Sequence, residues 1–164
     1  MDSSIIGSTT RPLNQLPYAE AFDLLAVVGY KDVAVFASEG QIPVLANTGP
    51  REVADVAKAA RDAGVTLSML LARTQLQEDL DTAIEDYRRL IGNAAELGAC
   101  WLLDLGTSDE QQYDKYVEVM RHCAPDAAEA GVGITMKPHG GISLTVENLI
   151  ETHEKVGHPA FGIC

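Results

Sequence analysis

No apolar run in these 164 residues approaches the roughly 20 that a membrane-spanning helix needs. The opening residues, Met1 to Ser4, lack a basic segment followed by a long apolar stretch, so they do not read as a secretory signal. Cysteine is scarce. Cys100, Cys123 and Cys164 are widely spaced, odd in number and outside any C-x-x-C pair. That usage is expected of free thiols in a reducing, cytoplasmic setting, with Cys100 and Cys164 inside apolar strand-like runs. Basic residues are also few: 12 face 24 acidic ones, for a formal charge of −12. So negative a surface repels phosphate backbones and anionic lipid, which argues against nucleic-acid and membrane partners. It leaves room for one local basic pocket that takes a phosphorylated metabolite. Neither G-x-G-x-x-G nor G-x-x-x-x-G-K-[ST] occurs, and H-E-x-x-H and G-x-S-x-G are absent too. The chain therefore lacks the main signals of a dinucleotide fold, a P-loop, a zinc peptidase and an α/β-hydrolase.

What is present is a regular alternation. The composition, 46% hydrophobic and 22% charged, suits a single domain with a sizeable core. Short apolar, β-capable runs fall at 5–9, 32–36, 65–71, 99–105, 132–137 and 160–164. Between them lie segments with apolar residues at helical spacing: Phe22, Leu25 and Val28; Val53, Val56 and Ala60; Ala83, Ile84, Tyr87 and Ile91; Tyr113, Tyr116, Val117 and Met120. Pro125 is expected to bend or divide the fourth of these. A fifth helix is expected from Leu144 to Val156. Each helical segment stops at a glycine, namely Gly29, Gly64, Gly98, Gly131 and Gly157, and a strand-like run follows closely. A helix stopped by a left-handed glycine and leading into an apolar strand is the αβ turn of a parallel sheet.

Six strands and five helices in regular units, without a dinucleotide loop, predict an α/β fold: a partial (β/α)₈ TIM barrel. Eight units usually need about 250 residues. Residues 1–164 are thus expected to form one incomplete barrel domain that ends within strand six. Its open edge would invite pairing with a second copy, as a homodimer.

In such a fold the active site lies beyond the carboxyl ends of the strands. That geometry selects the run from Ser8 to Arg11, then Glu39, Arg73, Asp104 and Lys137-Pro138-His139; the charged candidates among them are Arg11, Glu39, Arg73, Asp104 and Lys137, with His139. The sharpest local signal is Met136-Lys137-Pro138-His139-Gly140-Gly141. A strand-end lysine offers a localised cation to a carbonyl, enolate or phosphate oxygen. Histidine exchanges protons near neutral pH, and two glycines let backbone turn closely around a ligand. Lys137, His139 and Glu39 are therefore the candidate catalytic residues. Arg11 and Arg73 are candidates for holding a substrate anion. Asp104, set between Leu103 and Leu105, needs a partner, a metal or a strand-tip position, and is read as substrate-binding. His122 and His153 are expected on helix bodies, and His158 at the amino-end face of the sheet.

Three stretches also carry a resemblance. Residues 95–99, residues 131–141 and the terminal 158–164 are similar to the xylose-isomerase-like TIM-barrel superfamily, the sugar-phosphate isomerase/epimerase group that also holds apurinic-site endonucleases. The resemblance covers about two thirds of a family barrel. It implies an isomerase or epimerase acting on a small sugar or polyol-derived carbonyl compound through an enediolate-like intermediate. It also implies a divalent metal (Mn, Mg, Co or Zn) held by carboxylates and a histidine. Lys137 stands where relatives place a metal-binding glutamate, and a charged ammonium has no lone pair to give a cation. The alternatives are an inactive barrel fragment that self-associates through its open edge and a metal-dependent phosphodiester hydrolase.

Overall fold

A computed structural model describes residues 5–164; the Met1–Ser4 start lies outside the described residues. Six strands form one parallel sheet in sequential order: β1 (Ser8–Thr9), β2 (Asp32–Val35), β3 (Thr66–Leu71), β4 (Trp101–Asp104), β5 (Gly133–Met136) and β6 (Phe161–Ile163). Five helices connect them: α1 (Tyr18–Val28), α2 (Pro50–Ala63), α3 (Leu80–Leu97), α4 (Tyr113–Glu129) and α5 (Val146–Val156). Sequential parallel order is the arc of a (β/α)₈ barrel rather than a doubly wound sheet, whose strand order reverses. The expected α/β class, with six strands and five helices, is what the chain forms. Among the described residues no helix is long and apolar enough to cross a membrane.

The elements start and stop for local reasons. Asp79 caps α3 by accepting from the Thr82 backbone N–H and hydroxyl, and Thr145 caps α5 through the Asn148 N–H. At the other end, Gly29, Gly64, Gly98 and Gly157 take left-handed caps that turn the chain toward the next strand. The fourth helix departs from expectation, because Pro125 neither divides nor ends it. Pro125 and Arg121, whose carbonyl would have received the missing bond, both lie on the exposed side of α4. Water can satisfy that carbonyl, so the helix tolerates the proline.

The core lies between the sheet and the helices. Val33, Val35, Leu70, Leu102, Ile134, Met136 and Phe161 pack outward from the sheet against Phe22, Tyr87, Leu90, Tyr116 and Met120. Each such apolar side chain contributes about 1.5–3 kcal/mol on burial. Residues alternating with them face inward: Ala34, Met69, Trp101, Thr135 and Gly162. Trp101 lies over Gly133 and stays 44% exposed on this inner face.

One irregularity changes the alternation. Val33 pairs with Leu67, but Ala34 pairs with Met69, so Ser68 is an extra residue in β3. Leu67 belongs to the outward core, and strict alternation from it would send Met69, Leu71 and Arg73 outward as well. The bulge at Ser68 reverses the phase. Leu70 and Ala72 then join the core, while Leu71 and Arg73 turn inward.

Candidate active site at the carboxyl ends of the strands

Arg11, Arg73 and His139 line one cavity of about 250 Å³, together with Asn14, Gln41 and Leu105. The three candidate residues come from the loops after β1, β3 and β5. Among the described residues no aspartate or glutamate lines this cavity. Among the described residues neither arginine is paired with a carboxylate; the ion-paired arginines, Arg88, Arg89 and Arg121, sit on helices. Two guanidinium groups in one concavity repel each other unless an anion or a hydrogen-bond acceptor enters. Arginine's planar fork matches carboxylate and phosphate oxygens well.

Arg11 is anchored by its neighbour. Thr10 is fully buried, and its hydroxyl accepts from the backbone N–H groups of Phe36 and Ala37, at 3.0 Å each. The loop after β1 is thereby tied to the loop after β2. Gln41 is presented by a tight turn, Ser38 to Gln41, closed by two backbone bonds of 2.8 Å. Glu39 and Gly40 both have positive φ in that turn, 49° and 76°.

The six candidates were expected to share the rim, and the structure brings together only three of them. Glu39 is exposed and lines a separate cavity with Tyr18, Ser38, Glu52 and Asp55. That cavity lies across Gln41 from the first, between the Ser38–Gln41 turn and α2. Lys137 follows β5 half-buried and, by alternation with Thr135, on the inner side. Its N–H donates to the Asp104 carbonyl at 2.9 Å, but the side chain does not line the arginine cavity.

Asp104 needs a correction. It ends β4 as expected, yet it shares the outward phase of Leu102 and points into the helix layer. Its carboxylate is 1% exposed. One oxygen accepts from the Thr74 hydroxyl at 2.9 Å and the Tyr87 hydroxyl at 3.1 Å; the other accepts from the Gly106 N–H at 2.8 Å. The partner that a buried aspartate requires is supplied by this set of donors. The Tyr116 hydroxyl stands near the same carboxylate, buried without a hydrogen-bond partner. Burial holds the Asp104 carboxyl above the usual carboxylate range, although the bonds from Gly106 and Thr74 oppose the shift. Burial and the adjacent Asp104 charge push the Tyr87 phenol well above its ordinary range.

A pH dependence follows. A carboxyl whose folded pKa lies above its unfolded value adds stability that is fully present below the unfolded pKa, about 4. That contribution is lost as pH rises through the folded pKa. Asp104→Asn removes the titration and keeps the shape. Its melting temperature relative to the parent is therefore expected to rise as pH increases above about 4 and to level off once pH passes the folded pKa. A difference that stays flat or falls over that range would show that Asp104 ionises in the fold as freely as in the unfolded chain.

The remaining histidines stay apart from His139. His153 stacks on Phe161 with ring centroids 6.4 Å apart, and His158 accepts from the Ala160 N–H at 3.2 Å. Among the described residues no three His, Cys, Asp or Glu side chains are grouped to hold a metal ion. Cys100 and Cys164 flank strands rather than lie within them, and both are exposed. Cys123 is buried, with its thiol pushed up to about 12 by desolvation. Sequence reasoning included Thr10 in the run after strand one but missed Asn14, Gln41, Thr74 and Ser143, uncharged residues whose types carry no signal outside the fold.

Residues 22–164 match the family model described as a xylose isomerase-like TIM barrel. Among solved structures, the chain is similar to a xylose isomerase-like TIM-barrel protein from Mycobacterium smegmatis in complex with magnesium. The identity is 14% and the TM-score 0.77, over 97% of this chain and 63% of that one. It is also similar to D-psicose 3-epimerase with D-tagatose from Clostridium cellulolyticum (14%, TM-score 0.67, 89% of this chain and 56% of that one). A third likeness is to AP endonuclease, family 2, from Brucella melitensis (14%, TM-score 0.71, 98% and 67%). Likeness at such identity shows the fold alone. The chain spans about three fifths of the length of the first two of these structures. No curated protein matches.

Proposed function

This chain belongs to the xylose isomerase-like TIM-barrel family, and from that premise we propose that its strand-end cavity binds a small sugar or polyol-derived carbonyl compound for isomerisation or epimerisation. The observation that carries the reading is the convergence of Arg11, Arg73 and His139, from three separate strand-end loops, on one cavity. In a (β/α)₈ barrel that end is where catalytic side chains gather. A proton on carbon beside a carbonyl becomes acidic when the developing enediolate oxygen is held by positive charge. Arg11 and Arg73 supply that charge here. His139 moves the proton, and Asn14 and Gln41 hydrogen-bond substrate hydroxyls. Lys137 adds positive potential from the neighbouring strand end. In this reading Glu39 and Asp104 do not touch the substrate.

Family members of this fold are expected to hold a divalent cation. The described residues do not fit one, because the acidic and histidine side chains are scattered and Lys137 stands at the β5 end. The magnesium of the Mycobacterium smegmatis relative has no matching group of donors among the described residues. Phosphodiester hydrolysis has less support, since the histidines do not gather and the chain carries a charge of −12.

The test is deuterium uptake, followed by NMR, in a panel of ketoses, aldoses and their carboxylate derivatives incubated with the protein in heavy water. Label is expected at the carbon beside the carbonyl of at least one compound. His139→Ala is expected to slow the uptake about 100-fold or more, the usual weight of a positioned acid–base group. Arg73→Ala is expected to slow it about 10- to 100-fold, as loss of one charged donor to the oxyanion. Uptake at the same rate in the His139 and Arg73 variants, or in no compound at all, would end the proposal.

A further inference from the structure

The polar groups beneath the cavity form a chain that the reaction itself does not use. Thr74 directly follows Arg73, and its hydroxyl donates to Asp104. The other oxygen of Asp104 accepts from the Gly106 N–H, beside Leu105 of the cavity wall. The next residue, Thr107, donates its N–H to the Ser143 hydroxyl at 2.9 Å, and that hydroxyl donates back to the Thr107 carbonyl at 2.8 Å. Ser143 is 3% exposed and lies in the loop that carries His139. The chain thus runs from the loop of Arg73 through Asp104 to the loop of His139, and hydrogen bonds close every junction.

We infer that Thr74, Asp104 and Ser143 are positioning residues that fix Arg73 and His139 relative to each other across three strand-end loops. The inference rests on the reading of the cavity as a ligand site. Two facts separate positioning from plain core stability. First, one oxygen of Asp104 is shared by two elements: Tyr87 reaches it from α3, and Thr74 reaches it from the loop that presents Arg73. Second, the Thr107–Ser143 pair joins two loops directly, while the strands below them are already held by their own ladder. Strand pairing cannot set loop positions beyond its last hydrogen bond, so the loops need their own link.

The test compares Thr74→Val, Thr74→Ser and Tyr87→Phe in the full chain, with D-glycerate as an anionic polyol probe measured by calorimetry. Amide hydrogen exchange is followed in the same proteins. Thr74→Val is expected to weaken D-glycerate binding about tenfold, since small misplacements of a binding group are costly. It is also expected to speed exchange at Gly106 and Thr107. Thr74→Ser keeps the donor and should restore both. Tyr87→Phe removes a bond to the same carboxylate from the helix side, and should lower the melting temperature with affinity unchanged. Two results would overturn the inference: parental affinity and exchange in Thr74→Val, or an equal loss of affinity in Tyr87→Phe. If the parent protein takes up no D-glycerate while Thr74→Val still loosens Gly106 and Thr107, the cavity reading fails and the positioning role fails with it. The loop link alone would then survive.

Discussion

Asp104→Ala is expected to destabilise the protein by about 3 kcal/mol, with a fall in melting temperature of about 6–12 °C for a domain of this size. The reason is the set of donors left behind. The Thr74 hydroxyl, the Tyr87 hydroxyl and the Gly106 N–H all lose their acceptor, in surroundings that leave Asp104 1% exposed. An unsatisfied buried donor costs roughly 1–3 kcal/mol. Two effects keep the sum below the simple total: removing the aspartate relieves the desolvation of its own charge, and the Thr74 hydroxyl can turn to another acceptor. Asp104→Asn retains an acceptor oxygen and an amide that can donate to hydroxyl oxygens, so a loss below about 1 kcal/mol is expected near neutral pH. Urea unfolding of parent, alanine and asparagine forms tests the ranking. Equal stability of the alanine and asparagine forms would mean that the hydrogen bonds at Asp104 contribute nothing net.

The second large effect is predicted at Gly141, with its neighbour as the control. Gly141 has φ of 53°, and a β-carbon there would stand 2.2 Å from the Ser108 carbonyl oxygen and 2.5 Å from the Ser108 α-carbon. Both are backbone atoms that cannot swing aside. The left-handed conformation alone costs an alanine about 1–2 kcal/mol. With the clash added, Gly141→Ala is expected to cost about 2–4 kcal/mol or to displace the loop. That loop carries His139, so the proposed activity should fall at least about tenfold. Gly140 differs. Its φ of 176° is extended backbone, and the nearest atom to an added β-carbon is 4.0 Å away. Gly140→Ala should therefore leave stability within about 0.5 kcal/mol of the parent. A mild Gly141→Ala, or a Gly140→Ala of equal severity, would refute this account of the pair. The close approach expected of the two glycines is thus real at one of them, and it is made by the Ser108 backbone.

The placement of some candidate residues is legible in the sequence. Arg11, Arg73 and His139 follow strands one, three and five, and position along a parallel strand is readable from hydrophobic runs. Glu39 met the same criterion and still faces another cavity, because the Ser38–Gln41 turn reverses the backbone around it. Asp104 met it too, but a strand-end residue points inward or outward according to a two-residue alternation that a composition-level reading cannot phase. The uncharged groups that complete the site, Asn14, Gln41 and Thr74, became visible only as neighbours.

The amino-acid sequence alone determined the repeating strand–helix units, the glycine stops, the order of the elements and the family resemblance. These depend on local periodicity and backbone preference, which adjacent residues settle among themselves. Tertiary structure decided three things. Pro125 remains inside a continuous α4 because its side of the helix faces water. Asp104 turns to the helices because Leu102 sets the outward phase of β4. Arg73 reaches the cavity because an extra residue at Ser68 shifts β3 by one against β2. Register is a relation between strands distant in sequence, and one inserted residue exchanges the two faces of everything after it.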